Sequence, residues 1–446
     1  MAQTLSDGGG RDELRRTITV PQGVALYLGA VLGAGVLLLP GLAASQAGPA
    51  SLVSWGFDCV LGIPLALTFA ALAARSPDAG GVATYAGQAF GTAAGTVTGW
   101  FYFIAAATAQ ALVALTGVYY VAPYLGLDRA GIFAASGLIL LAATAANMRG
   151  VQVSGRLQLG FSAVVAVLLL VTAVAAIPRM RAADWAPFAP HGAGAASAAG
   201  VTIFFAFFGW EAITHLSAEF RNPARDVPRS TAISVALITL LYLGVAVATV
   251  GTRAYGSAGV NRTSIAHVIS GALGSAAGAC AATIALLIAL GTANVFVAAT
   301  SRLGYALSRD GAFPRPLSKL DSRRVPRAAV LVVGGWALGC LAISYATGWD
   351  AQTLLVIPDS LVIIVYLSAT LAAVRLLRGR RRWTAALAAL MCCALLPFAG
   401  VVLVIPAVIA AAALAYRRLL AHQRAPAKRA PDAIQAPSPG GSSATG

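Results

Sequence analysis

The chain has 446 residues, 59% hydrophobic and only 10% charged, against roughly 25% charged for a soluble domain. Its formal net charge is +16, but the basic residues sit in loops between apolar runs, without the aromatic interleaving that binds single strands, which argues against nucleic acid as a partner. Apolar runs of about 20 residues recur throughout and exclude a soluble protein in favour of a polytopic, all-α membrane protein.

The polar segment 1–20 is expected to be a tail, and the run after it is too long, and lacks the cleavage site, for a removable signal peptide. About twelve apolar spans follow, at 22–45, 51–74, 95–122, 131–147, 157–177, 196–216, 230–252, 270–300, 327–346, 353–374, 383–399 and 401–417. The last two are one stretch nearly twice the length a crossing needs, divided at Gly400; eleven spans is the alternative. The transmembrane domain is thus 21–420, and 421–446, rich in Pro, Ala, Gly and Ser, is expected to be a disordered tail. The cysteines Cys59, Cys280, Cys340, Cys392 and Cys393 lie inside apolar segments at no metal-ligand spacing and read as packing residues, so no metal or cofactor is expected.

If the N-terminus is cytoplasmic, all but five of the 31 Lys and Arg residues fall on the cytoplasmic side, the exceptions being Arg129, Arg179, Arg181, Arg253 and Arg262. This positive-inside asymmetry predicts both termini in the cytoplasm and favours an even span count.

Span 1 holds Gly29, Gly33 and Gly35 and ends at Pro40. Glycines inside a helix destabilise it by roughly 1 kcal/mol each. They have two readings: small residues that let neighbouring backbones approach, or a helix that unwinds at Gly33–Gly35 and presents free N–H groups to an anion. Span 6 reads Phe204-Phe205-Ala206-Phe207-Phe208-Gly209-Trp210-Glu211. A glutamate inside the membrane points to function, beside a second break whose carbonyls could receive an ammonium; equally, it could serve to bond loose backbone ends. Two broken helices five spans apart are what a five-plus-five inverted repeat requires, and the repeat is inferred from those two positions alone.

Gly29–Pro40, Pro77–Gly91 and Phe205–Pro228, with weaker support from Thr292–Asp310, resemble the amino acid–polyamine–organocation transporters, most closely the L-methionine/branched-chain amino acid exporters. The resemblance covers residues 20–380 and implies a leucine-transporter-type fold of about twelve helices, with helices 1 and 6 broken, working by alternating access in the cell membrane. It implies that Gly33, Ala34 and Gly35, with Val36, bind the substrate carboxylate, and that carbonyls around Phe204 and Ala206 bind its amine. Phe205 would be an aromatic gate, Phe207 and Gly209 complete the second break, and Thr292 and Asn294 face the site. The apolar surroundings fit an apolar side chain better than arginine or lysine, and the resemblance to the exporters implies efflux of methionine, leucine, isoleucine and valine; an importer or exchanger is the alternative.

Some features depart from the family pattern. Span 5 lacks the mid-membrane lysine of some proton-coupled relatives, and Asp58 and Asp359 are additional buried acids. Glu211 and Asp359 are therefore the candidates for proton coupling. His215, at the inner end of span 6, reads as a packed or interfacial histidine, and Arg378–Arg382 as a topology signal near anionic lipid headgroups. A membrane enzyme is a remote alternative, because His191, His215, His267 and His422 have no acid/base or ligand spacing. A channel would need polar rings or a filter loop, and neither is visible. The expected partners are the amino acid and the bilayer, and the oligomeric state is left open.

Overall fold

The computed structural model describes residues 18–75, 81–150, 155–211, 220–322 and 324–424. Most of both expected tails, the residues of the Pro77–Gly91 segment before Gly81, and His215 lie outside them. All regular elements among the described residues are helices, and nine stretches are long and apolar enough to cross a membrane. In hydrocarbon the backbone must pair within its own segment, which a helix does.

Helices α1 (Val20–Val31) and α2 (Ala34–Ala47) form a single interrupted path, and α3 (Ser51–Arg75) returns. A short α4 (Gly81–Phe90) leads into the long α5 (Thr92–Leu125), then α6 (Arg129–Met148) and α7 (Gly155–Ala176). Helix α8 (Gly192–Phe204) tightens into a 3-10 turn at Phe205–Phe207. Beyond it lie α9 (Pro223–Gly251), the short α10 (Ala258–Arg262) and α11 (Ser264–Leu273), and the long α12 (Ser275–Arg309). Four further helices, α13 (Arg327–Thr347), α14 (Ala351–Leu376), α15 (Arg380–Ala399) and α16 (Val404–Arg424), complete the described chain.

Three expected boundaries need correction or comment. The eighth span, expected at 270–300, straddles a corner: α11 ends at Leu273, Gly274 adopts φ +92°, and α12 continues to Arg309. At Gly400 the helix is interrupted: φ +58° ends α15 there and a 3-10 turn precedes α16. Helix α16 continues to Arg424, past the expected domain boundary at 420, because Ala, Leu and Arg are good helix formers.

One supersecondary unit occurs twice. Helix α4, Gly91 and α5 repeat as α11, Gly274 and α12, the short helices having 10 residues each and the long ones 34 and 35. The two corner glycines share φ +91° and +92° with ψ 167°, a region favouring glycine. The sequences match as well: Ala-Phe-Gly-Thr-Ala-Ala-Gly at 89–95 and Ala-Leu-Gly-Ser-Ala-Ala-Gly at 272–278. The two corners lie at opposite ends of α14. Beside the first, the Arg375 guanidinium covers the Phe90 ring at 5.6 Å, near the C-terminus of α14. The second meets the far end of α5, where a Cβ on Gly278 would lie 3.0 Å from the Tyr124 hydroxyl; on that same end of α5 Arg262 covers the Tyr119 ring and pairs with Asp350, the N-cap of α14, at 3.2 Å. Burial pushes the Asp350 carboxyl up, but the N–H and hydroxyl of Thr353 and the Arg262 guanidinium outweigh it and hold the group below its ordinary value.

The bundle is organised around α5, which is buried along most of its length and packs against α6, α12, α13, α14 and α16. Leu138, Val167, Leu240 and Leu390 are exposed on its outside, where lipid tails replace water. Inside, threonine hydroxyls donate back to carbonyls one turn earlier, as Thr116 does to Leu112 and Thr231 to Val227, both at 2.8 Å. Such bonds satisfy polar atoms without leaving the helix.

Candidate functional site

The first break is made by two residues. The Leu32 N–H closes α1 on the Leu28 carbonyl at 2.8 Å, Leu32 then leaves helical geometry, and Gly33 is extended at φ −74°, ψ −161°. Helix α2 starts afresh, so its first N–H groups have no partner within the helix and its aligned peptide dipoles add partial positive charge there.

The second break is longer. After the 3-10 turn, Phe208 is extended and Gly209 takes φ +134°. A Cβ on Gly209 would lie 2.5 Å from the Ala30 carbonyl oxygen, so both conformation and space require glycine. The Glu211 carboxylate gathers the loose ends. Its Oε1 accepts from the Tyr102 hydroxyl of α5 at 2.7 Å, and its Oε2 from the Gly209 N–H at 3.1 Å and from the Tyr366 hydroxyl of α14. The Tyr366 oxygen also accepts from the Gly209 N–H at 3.0 Å and lies 3.0 Å from the Phe207 carbonyl.

The breaks meet each other. Gly35 faces Ala206 and Phe205, whose Cα and Cδ1 atoms would lie 3.6 and 3.7 Å from a Cβ added there. The Tyr242 hydroxyl of α9 stands 2.8 Å from the Val31 carbonyl and 2.7 Å from the Ala206 carbonyl, so its one proton serves a carbonyl from each break. At this junction lies a cavity of about 30 Å³ lined by Ala30, Val31, Gly33, Gly35, Ala109, Val113, Phe205, Phe208, Thr292 and Phe296. Thr292 contributes the one polar side chain. That volume is about one water's share of the liquid, so an amino acid enters only when the lining moves apart.

Of the residues expected at the site, Gly33, Gly35, Phe205 and Thr292 come together around the cavity. Ala34 lies between the two glycines as the first residue of α2. Val36 is fully buried and does not line the cavity. Phe204 turns to the Tyr366 ring at 5.6 Å and Phe207 to the Tyr242 ring at 5.3 Å, so both support the break from behind. Asn294 is engaged by the Asn147 amide of α6, at 2.9 Å to Oδ1 and 3.1 Å to its carbonyl, and is not among the lining residues. Glu211 braces the second break, while Asp359 is buried in α14 outside the cavity.

Sequence reasoning missed the tyrosines and the aromatic wall. Phe208 packs against Phe205 at 6.1 Å, Phe296 at 6.0 Å and Tyr102 at 5.4 Å, joining the cavity lining to the Glu211 network. The available signal was a tyrosine in the middle of an apolar span, at 102, 242 and 366, since a buried hydroxyl needs a partner.

A family model described as amino acid permease matches residues 23–432. The chain is 36% identical to the uncharacterized amino acid permease YecA of Bacillus subtilis, over 91% of this chain and 96% of that protein. It is 30% identical to the L-methionine/branched-chain amino acid exporter YjeH of Escherichia coli, over 87% and 92% respectively. It is also 28% identical to the branched-chain amino acid permease BcaP of Bacillus subtilis, over 75% of each chain. These relatives are transporters and not enzymes. With two broken helices meeting at a small cavity inside a multi-pass membrane bundle, the chain belongs to the amino acid permease family.

Proposed function

We propose that the protein exports amino acids with apolar side chains, methionine and the branched-chain residues, by alternating access around the cavity between the two breaks. The observation that carries the substrate class is the lining: three phenylalanines, small aliphatic residues and a single threonine, with no charged side chain. A lysine or arginine substrate would bury its charge there without a partner, which is strongly unfavourable. The names of the Escherichia coli and Bacillus subtilis relatives point the same way on substrate, and the former on direction.

In this reading the α2 N-terminus at Gly33, Ala34 and Gly35 receives the carboxylate. Carbonyls around Phe204 and Ala206 receive the amine, the Ala206 oxygen keeping a second lone pair beyond its bond to Tyr242. Phe205 closes over the substrate. The architecture is a five-plus-five inverted repeat within about twelve spans, supported by the recurring corner units at opposite ends of α14. Both termini are cytoplasmic, as the distribution of Lys and Arg indicates, and transport is proton-coupled, with Asp359 as the candidate carrier of the two acids and Glu211, held by three donors, as a brace.

The test is counterflow in liposomes with labelled methionine, leucine and lysine, followed by release from preloaded cells. Exchange of methionine and leucine with little lysine, and faster release from expressing cells, are expected. Lysine preferred over leucine overturns the substrate class, and accelerated uptake without release turns the reading to an importer.

A further inference from the structure

Asp58 and Asp359 are unlike every other acid in the described chain. Asp58 is fully buried and Asp359 is 4% exposed; neither oxygen of Asp58 has a hydrogen-bond partner, and neither does Oδ1 of Asp359. They belong to packed helices, α3 and α14. These start at the same end of the bundle. Helix α3 follows α2, whose Gly41 abuts the Asn261 carbonyl of α10, and the next residue, Arg262, binds Asp350 at the head of α14. At 1.5 Å per residue, Asp58 lies about 10 Å along α3 and Asp359 about 12 Å along α14, so their depths match.

Among the described residues, the basic side chains of α3 and α14 themselves, Arg75 and Arg375, lie in the last turns of those helices, more than four turns beyond the pair. Cys59 follows Asp58 on α3, Cys392 of α15 and Tyr242 of α9 are buried on helices packed against α3, and α8 contributes no titratable residue. Trp55, one turn before Asp58 on α3, also buries an indole N–H that has no acceptor. Two unpaired carboxylates cannot both remain ionised in such a place, and paired acids share a proton. Among the described residues no group of three or more His, Cys, Asp or Glu could hold a metal ion.

We propose that Asp58 and Asp359 form a two-carboxylate proton-binding site between α3 and α14, apart from the substrate cavity, which takes up and releases the proton coupled to transport. Glu211, saturated by Tyr102, Tyr366 and the Gly209 N–H, is then a brace. The proton site stands on the geometry alone; its coupling to transport rests on the function proposed above.

Two readouts separate these claims. Infrared difference spectra of the protein in lipid nanodiscs, titrated with acid and base, follow the carboxylic-acid C=O stretch. The wild type is expected to lose it in two steps, Asp58→Asn and Asp359→Asn each in one, and the double variant to lack these steps. Wild-type carboxyl bands that persist in the double variant overturn the site, as does a band that responds to Na⁺ at constant pH. Should Asp58→Asn fail to fold, the one-step titration of Asp359→Asn decides. In liposomes, Asp58→Asn is expected to keep counterflow within about twofold while accumulation driven by a pH gradient falls about tenfold or more. Undiminished gradient-driven accumulation overturns the coupling. A wild type with no amino acid counterflow removes the transport reading and leaves the infrared result to judge the proton site.

Discussion

The two breaks serve one cavity but are built differently. The first, Leu32–Gly33, is nearly pure backbone: one helix ends, another begins, and its specific bond comes from Tyr242 on another helix. The second, Phe205–Glu211, is laced by side chains from α5, α9 and α14. The first can therefore offer its N–H groups to a ligand, whereas the second is positioned by three neighbouring helices and transmits their placement to the cavity through Phe208. Function asks opposite things of the two sites. One must stay empty of partners, and the other must be held.

Substitutions at four positions probe that contrast. Gly209→Ala combines a disallowed φ with a Cβ only 2.5 Å from the Ala30 oxygen, and destabilisation of more than about 3 kcal/mol is expected, seen as loss of a monodisperse peak in detergent. Glu211→Ala strands the Tyr102 hydroxyl and leaves the Gly209 N–H and the Tyr366 hydroxyl only each other and the Phe207 carbonyl, for about 2 kcal/mol, while Glu211→Gln keeps an acceptor and loses about half of that. Thermal unfolding of the two variants side by side measures the difference. Tyr242→Phe removes the hydroxyl shared by both breaks and is expected to lower stability by about 1 kcal/mol and slow counterflow. Gly33→Ala is the mildest: its Cβ meets only Thr292 Cγ2 at 3.7 Å, so stability changes by less than about 0.5 kcal/mol, but the methyl enters the cavity and raises KM. If Gly33→Ala unfolds the protein, or Glu211→Ala leaves it unchanged, the division between an open break and a braced one fails.

Much of the bundle was legible, because apolar length and basic loops are large, redundant signals: ten or more residues agree on each span. The breaks were legible at Gly33 and Gly209, where a poor helix former sits inside an apolar span. The supporting shell was not. Tyr102, Tyr242 and Tyr366 act through hydroxyls that meet carbonyls or a carboxylate far away in sequence, and nothing local to them encodes the partner. Asn294 illustrates the converse, since its position in the expected scheme suggested the cavity, yet Asn147 on α6 engages its amide. The repeated heptapeptides at 89–95 and 272–278 carry little weight as sequence, because small apolar residues recur so often in this chain, and only the shared corner geometry distinguishes them.

Those corners have a mechanical consequence. Each begins a straight strut, α5 or α12, of about 51–53 Å, and the near-equal lengths mean that neither end of the bundle is stiffer by virtue of its strut. Asymmetry between the two ends must then arise at the joints. In the first joint a Cβ on Gly95 would lie 3.0 Å from the Gly87 Cα, whereas in the second Ser270 replaces that glycine and its Cβ would lie 2.6 Å from one on Gly278. One elbow closes glycine on glycine and the other serine on glycine, so identical levers turn on bearings of unequal clearance.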